Sequence, residues 1–271
     1  MKTGYILYNN SQHETSQRDI MTNIHTLYMI YQLYGYLPKN MDIVLFGTGG
    51  SYDWLSGTRI HEITKIIYFN GYDDKTMFLN RLFMLTDCRI ADEYDYIISS
   101  DCDLKIKDFH MLTEKISGYI QDPDFLCAGR QYVNKYGFRC ILATFNVFNM
   151  LKIKKTLTSD MLKNEIDAYY GLLDRYPGTN IHMHNYEENI LGRIFLDGFN
   201  NVSLIDEQII NDMFKHYPYA RPNSKNKDCL RMKRRHIYEN IVKDSGFFDF
   251  LDKFSARTTF DGMLGKIKPE I

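Results

Sequence analysis

Residues 94–106, YDYIISSDCDLKI, are the stretch of this sequence that decides its fold prediction. The apolar run over 94–100 predicts a buried strand, and Asp101 and Asp103 follow it with only Cys102 between them. Strands with continuous rather than alternating apolar residues are typical of parallel sheets that helices cover on both faces. Ligands of such sheets bind beyond the carboxyl ends of the strands. The two acids therefore predict a ligand site at this edge of a sheet.

The surrounding sequence predicts alternating strands and helices. Apolar runs predict further strands over 3–8, 41–50, 64–71, 124–130, 139–149 and 201–208. Apolar residues at helical spacing predict helices over 19–36, 75–88, 108–119, 158–176 and 184–198. This order predicts an α/β protein with a Rossmann-like, mostly parallel central sheet flanked by helices. We expect residues 1–210 to form one compact domain, on which 211–271 pack as a helical or irregular C-terminal extension.

Composition and charge argue against several classes of protein. The net charge is −1, from 33 basic and 34 acidic residues, which gives no support for binding to nucleic acid. The 5 cysteines are widely spaced and include no C-x-x-C pair, as in proteins of reducing compartments. No stretch approaches the roughly 20 apolar residues of a membrane span, and the apolar patch near the N-terminus is too short for a signal peptide. We therefore expect a cytoplasmic protein.

The D-x-D triplet at 101–103 has a simple chemical use. Carboxylate oxygens are hard ligands that suit Mg²⁺ or Mn²⁺. A cation held by one or two carboxylates keeps positions for phosphate oxygens, and it neutralises the charge that develops on a departing diphosphate. The alternative is an ordinary turn, because Asp favours turns and helix starts.

The buried strand, the triplet and the preceding segment 80–87 together resemble the GT-A glycosyltransferases, nucleotide-sugar enzymes with a D-x-D motif after a central strand. The order of elements over 1–210 is similar too, although the motif match is confined to 94–106. The resemblance implies a nucleotide diphosphate sugar as donor (a UDP-sugar above all), Mn²⁺ or Mg²⁺ as cofactor, and a hydroxyl of a glycan or glycolipid as acceptor. It also implies that Asp103 contacts the metal directly, whereas Asp101 lies near the ribose or binds the metal through water.

The same resemblance assigns further residues to the donor site. The end of the first strand, which carries Tyr8, Asn9 and Asn10, is expected to contact the nucleotide base, although an ordinary Asn turn would have the same sequence. Arg81, in the segment before the triplet, joins this donor-binding set.

A third metal ligand is expected downstream of the triplet. His216, in FKHYPYARPNSK, is the first candidate, and His236 is the alternative. In a loop that closes over the diphosphate, Lys215, Arg221 and Lys225 would then contact the phosphates.

A second acidic feature lies in HNYEENILGRIF, residues 184–195, where Glu187 and Glu188 precede Arg193. The helix dipole alone favours acids in a first helical turn. Inverting GT-A enzymes, however, often carry an acidic pair before a helix with a later Arg, and one carboxylate there deprotonates the acceptor hydroxyl. Both acids are Glu in this chain where Asp is usual, so a retaining and an inverting reaction both stay open.

Two other functions are compatible with the same acids. One is a metal-dependent nucleotidyltransferase, although the segment after Tyr8 lacks the glycine-rich basic loop usual in those enzymes. The other is a non-catalytic carbohydrate-binding domain. Residues 221–240 hold seven Lys or Arg against two acids. This run could meet a membrane surface or a phosphate-rich acceptor, and a solvated helix face would explain it equally well.

Overall fold

The computed structural model describes residues 1–9, 16–69, 79–122, 125–134, 137–175, 184–199, 202–216 and 226–267. Within them, seven strands form one sheet in the order β3-β2-β1-β4-β7-β6-β8. These strands are β1 (Thr3–Asn9), β2 (Met41–Thr48), β3 (Thr64–Phe69), β4 (Tyr96–Ser100), β6 (Cys127–Val133), β7 (Arg139–Asn149) and β8 (Val202–Leu204). A separate two-stranded sheet pairs β5 (Leu104–Ile106) with β9 (Phe214–His216).

The strand directions place several chain segments at one edge of the large sheet. Strands β3, β2, β1 and β4 run parallel, so their carboxyl ends share that edge. Strand β7 runs antiparallel to β4, and Ser100 at the end of β4 lies opposite Phe145. The first half of β7 and the β6 strand that pairs with it therefore extend beyond the same edge. The predicted mostly parallel sheet flanked by helices is confirmed.

Helices cover the sheet and make up much of the C-terminal part of the described chain. They are α1 (Gln17–Tyr36), α2 (Cys88–Ala91), α3 (Phe109–Gln121), α4 (Met150–Thr156), α5 (Ser159–Arg175), α6 (His184–Leu191), α7 (Glu207–Met213), α8 (Asn226–His236), α9 (Ser245–Lys253) and α10 (Arg257–Lys266). Short 3-10 helices lie at Asp53–Leu55, Ile60–Glu62 and Leu79–Leu85, and π-helical turns at Gly192–Phe199 and Ile237–Ile241.

Two of the predicted elements were wrong in type or extent. The described part of the predicted helix over 75–88 is a 3-10 helix, and Asp87 starts a new short helix by accepting a hydrogen bond from the Arg89 amide. The predicted strand over 201–208 ends at Leu204, because Asp206 caps α7 and makes the next residues helical. The predicted helix over 184–198 is helical throughout, with α geometry over His184–Leu191 and π geometry over Gly192–Phe199.

Alternate residues of the central strands enter two different apolar cores. In β1, Tyr5 and Leu7 belong to the core on the α1 face, whereas Ile6 belongs to the core on the face of α4, α5 and α6. Successive side chains of a strand point to opposite faces. The continuous apolar pattern of β1 and β4 thus follows from burial on both faces.

The C-terminal helices share the core on the α1 face. Ile237, Phe247 and Phe260 are fully buried there with Leu27 of α1, and Tyr28 and Tyr31 of α1 donate hydrogen bonds to Asp244. Helices α8 to α10 thus pack on α1. The division of the chain into 1–210 and 211–271 stays a prediction. No helix in the described ranges has the length and apolar character needed to cross a membrane.

Candidate functional site

The loop that carries the D-x-D triplet follows β4 and is anchored on two sides. The Asp101 amide donates to the Thr144 carbonyl of β7 at 3.1 Å. From α1, the buried Thr26 hydrogen-bonds the Cys102 thiol, whose pKa burial raises to about 12. The Gln32 side chain of α1 accepts from the Ile106 amide at 3.0 Å. The triplet is therefore fixed between β7 and α1, with Cys102 as an inert, buried thiol.

Asp101 is the more accessible of the two acids, with a side chain that is 28% exposed. Its Oδ1 accepts a 2.8 Å hydrogen bond from Nη1 of Arg81, which is itself buried. The same guanidinium donates to the Ser99 hydroxyl at 2.9 and 3.0 Å. Arg81 of the 3-10 helix Leu79–Leu85 thus places a fixed positive charge at the end of β4, beside Asp101.

Asp103 is completely buried and pairs with a lysine from the C-terminal part of the chain. The Nζ of Lys233 in α8 donates to Asp103 Oδ2 at 2.8 Å, and both side chains are only 1% exposed. This partner lies 130 residues away in the sequence. Each acid of the triplet thus has its own basic partner, from a different side of the site.

Glu187, in the first turn of α6, lies on the other side of Arg81. Its Oε1 is 3.5 Å from Arg81 Nε, and the residue is 7% exposed. Burial raises the pKa of Glu187 to about 8, because the loss of water outweighs the attraction of Arg81, and the nearby Asp101 and Glu188 raise it further. Glu187 is therefore mostly protonated at neutral pH.

Glu188 is held by strands β6 and β7. The Tyr132 hydroxyl donates to Glu188 Oε2, and the Ala143 amide donates to Oε1 at 3.3 Å. Burial raises the pKa of Glu188 to about 7, although both hydrogen bonds act to lower it. At neutral pH this carboxyl therefore exchanges readily between its two protonation states, which is the property that a general base or acid needs.

The residues predicted to meet the nucleotide base lie at the end of β1, at the same sheet edge. Tyr8 is half-buried, with its ring 6.2 Å from that of Phe46. The Asn9 side chain is buried and donates to Asn23 of α1 at 2.8 Å. Asn9 thus faces α1, and Asn10 lies outside the described residues.

The backbone of His216, the predicted third metal ligand, lies close to the triplet in space. In the β5–β9 pair, His216 is opposite Leu104, the residue that follows Asp103. The His216 side chain, Arg221 and Lys225 are not among the described parts of the structure, whereas Lys215 is described and is exposed.

The alternative ligand, His236, contacts a histidine of α1. Its ring stacks on His25 of α1 with centroids 5.2 Å apart, and its Nδ1 lies 3.1 Å from His25 Nε2. Burial lowers the pKa of His236 to about 3 and that of His25 to about 4, so both rings are neutral. The pair forms part of the packing between α1 and α8.

The contacts of Arg193 and of the basic run in α8 differ from those expected from the sequence. Arg193 lies 3.0 Å from Glu165 of α5, so the arginine beside the glutamate pair is Arg81 instead. The basic run of α8 does not form one solvated face, because Lys233 points into the protein while Arg235 pairs with Glu239 at the surface.

The donor chemistry of the site fits a hard divalent cation. Asp101 and Asp103 supply carboxylate oxygens, the ligands that such a cation prefers, and each acid also pairs with a basic side chain. No cluster of three ligating side chains occurs among the residues that the structure describes. Two carboxylates with donor phosphates or water as further ligands are the arrangement typical of Mg²⁺ sites.

Sequence reasoning missed Lys233 and Tyr132. A signal for Lys233 was present, because Leu230, Ile237 and Ile241 form an apolar stripe at helical spacing in which Lys233 takes a stripe position. A lysine on an apolar stripe indicates a buried charge with a partner. No comparable signal exists for Tyr132, since its partner depends on how α6 docks against the β6–β7 hairpin.

Comparisons with known proteins give the fold a name. No protein-family model matches the chain, and no curated protein sequence matches it either. The apo-form glycosyltransferase GlyE of Streptococcus pneumoniae TIGR4 aligns over 93% of this chain and 64% of its own, with 14% identity and a TM-score of 0.51. Mouse xyloside xylosyltransferase 1 aligns over 76% of this chain and 85% of its own, with 11% identity and a TM-score of 0.46.

The chain therefore spans somewhat less than two thirds of the length of GlyE. A structural alignment at an identity this low establishes the fold and not the reaction. The central sheet, its order of strands and the structural alignment together show that this chain has the GT-A fold of glycosyltransferases, with no family assigned within it.

Proposed function

We propose that this protein is a glycosyltransferase that moves a sugar from a nucleotide diphosphate sugar, a UDP-sugar above all, to a hydroxyl of a glycan or glycolipid. The observation that carries the proposal is the convergence of three chain segments at the carboxyl edge of a GT-A sheet. These segments place Asp101 and Glu187 on either side of Arg81, at 2.8 Å and 3.5 Å from its guanidinium nitrogens. The edge is where ligands of α/β sheets bind.

The triplet supports a metal-assisted reaction. When bound at Asp101 and Asp103, Mn²⁺ or Mg²⁺ would neutralise the charge that develops on the nucleoside diphosphate leaving group. Arg81 places a second, fixed positive charge beside Asp101. Arginine is well suited to phosphate oxygens, because its planar fork can donate two parallel hydrogen bonds. In this proposal Lys215, which is exposed, and Arg221 complete the phosphate contacts.

The glutamate pair supplies the proton chemistry in this proposal. Glu188 has the lower pKa of the two and is oriented by Tyr132 and Ala143, so it is the better candidate to accept the proton of the acceptor hydroxyl. Glu187, which is protonated at neutral pH, would donate a hydrogen bond to the sugar or the leaving group.

The test is a screen of UDP-, GDP- and CMP-sugars for hydrolysis or transfer, each with and without Mn²⁺. We expect turnover of a UDP-sugar that Mn²⁺ raises at least tenfold, and that Asp103→Asn abolishes. Asn is used because it keeps the shape and the hydrogen-bond acceptor opposite Lys233. Asp92→Ala is the matched control, because Asp92 is an exposed acid after α2, at the opposite sheet edge.

Two results would contradict the proposal. Absence of metal-dependent nucleotide binding in the unmodified protein, measured by thermal shift, would remove the donor assignment. Full turnover in both Glu187→Gln and Glu188→Gln would remove the glutamate pair from the proton chemistry. Sugar binding without any turnover would favour a non-catalytic carbohydrate-binding domain.

A further inference from the structure

Strand β7 is irregular along the side that it shares with β6. The register of the pair shifts between Gly129 and Gln131, which lie opposite Asn146 and Ile141. Four β7 residues, 142–145, therefore face a single residue of β6 and cannot all follow its ladder. Irregularities of this kind are common next to active sites, where they redirect the groups of a strand.

Backbone groups of the segment 142–145 bind two parts of the proposed site. The Ala143 amide donates to Glu188 Oε1 at 3.3 Å, and the Thr144 carbonyl accepts from the Asp101 amide at 3.1 Å. The Ala143 amide can reach the carboxyl because its segment departs from the ladder with β6, in which such groups are normally paired. The geometry at Glu188 thus depends on what keeps this segment in shape.

The side chain of Asn146 closes the irregular segment. It is only 2% exposed, and its Nδ2 donates to the Leu142 carbonyl at 3.1 Å. The amide has room because residue 129, which lies opposite Asn146, is Gly. A Cβ at that position would come within 2.5 Å of Asn146 Nδ2, so a larger residue would displace the amide.

We propose that Asn146 is a positioning residue, which acts through the segment 142–145 to hold the Ala143 amide against Glu188 and the Thr144 carbonyl against the D-x-D loop. One buried side chain then fixes the carboxyl of the proposed general base relative to this loop. Such support matters because a catalytic group works only when its surroundings hold it in the productive geometry. The inference rests on the proposed function, since it takes Glu188 as the group that receives the proton of the acceptor hydroxyl.

The test follows the Ala143 amide by NMR in protein labelled with ¹⁵N-alanine, and Ala143→Ser assigns its resonance. In the unmodified protein this resonance should move with pH as Glu188 titrates, with a midpoint of about 7, and it should not do so in Glu188→Gln. In Asn146→Ala we expect roughly half of this movement or less, because the amide no longer faces the carboxyl.

Turnover of a UDP-sugar gives a second measurement on the same variant. Loss of the Ala143 hydrogen bond removes a contact that lowers the pKa of Glu188. The acid limb of the pH–rate profile of Asn146→Ala should therefore lie about 1 pH unit higher than in the unmodified protein.

Asn149→Ala is the matched control, because it makes the same change in the same strand. The Asn149 side chain is buried and donates to the Phe125 carbonyl at 2.9 Å, but Asn149 lies at the opposite sheet edge, across from Tyr96 at the start of β4. Loss of packing should affect both variants, whereas only Asn146→Ala should change the Ala143 response. Both variants keep the charged and titratable groups around Glu188, which include Arg81, Asp101, Tyr132, Cys140 and Glu187.

Folding is checked by circular dichroism, and Asn146→Ser, which keeps a shorter donor, is a milder second variant that should respond less strongly. An unchanged Ala143 response in folded Asn146→Ala, or an equal change in Asn149→Ala, overturns the inference. A raised KM for the UDP-sugar with an unmoved acid limb would make Asn146 a donor contact and overturns it too. Failure of both Asn146 variants to fold would assign Asn146 to the fold alone, with the same consequence. The expected NMR response in a protein that turns over no sugar nucleotide would support this positioning of Glu188 and contradict the proposed function instead.

Discussion

Replacing Glu187 by Gln should change how the stability of this protein depends on pH. The folded chain holds the pKa of Glu187 at about 8, against 4.5 for an unperturbed carboxyl, because burial disfavours the charged form. The folded state therefore binds this proton more tightly than the unfolded state. The resulting stabilisation is fully present below pH 4.5 and is lost as the pH rises toward 8.

The magnitude follows from the difference between the two pKa values. Between pH 5 and pH 8, the contribution of Glu187 to the free energy of unfolding should fall by roughly 3 kcal/mol. For a chain of this size, that corresponds to about 5 to 10 °C in melting temperature. Glutamine has a similar shape and does not titrate, so the Glu187→Gln protein should lack this loss, while Arg81, Asp101 and Glu188 are present in both proteins.

The assay is thermal unfolding at pH 5, 6, 7 and 8 for both proteins. The melting temperature of Glu187→Gln minus that of the unmodified protein should rise steadily over this range. Glu114→Gln, at an exposed position of α3, is the control for the same chemical change at the surface. Parallel curves for Glu187→Gln and the unmodified protein would refute the assignment of a raised pKa to Glu187.

Three further changes test other contacts of the site. Tyr132→Phe removes a hydrogen bond that lowers the pKa of Glu188, so the acid limb of the pH–rate profile should move to higher pH, and an unmoved limb would exclude Glu188 as the group observed. Arg81→Met leaves two acids without their buried partner, and we expect a loss of about 3 to 5 kcal/mol in urea unfolding, with smaller losses contradicting the pairing. Gly192→Ala would bring a Cβ within 2.0 Å of the Arg139 carbonyl oxygen, so unfolding should become easier by about 1 to 3 kcal/mol, and unchanged stability would show that α6 can shift at no cost.

Much of the fold could be predicted because its signals are local. The apolar runs of β1, β2 and β4 reflect burial on both faces. The apolar residues of α1 at helical spacing predicted that helix, and the structure buries it on nearly all sides, between the sheet and the C-terminal helices. Boundaries failed where a single capping side chain decides the structure, as at Asp87 and Asp206. Those caps depend on the conformation that the neighbouring backbone adopts, and composition gives little information about it.

The sequence by itself determined that Asp101 and Asp103 follow a buried central strand and that Glu187 and Glu188 lie near the start of a helix. These positions follow from local patterns, since the residues that mark the end of a strand or the start of a helix lie close to it in the sequence. Only the tertiary structure decided which groups these acids meet: Arg81 between Asp101 and Glu187, Tyr132 on Glu188, and Lys233 on Asp103. The physical reason is that the charge state of a buried acid depends on desolvation and on its nearest partners, and folding brings these together from segments far apart in the chain.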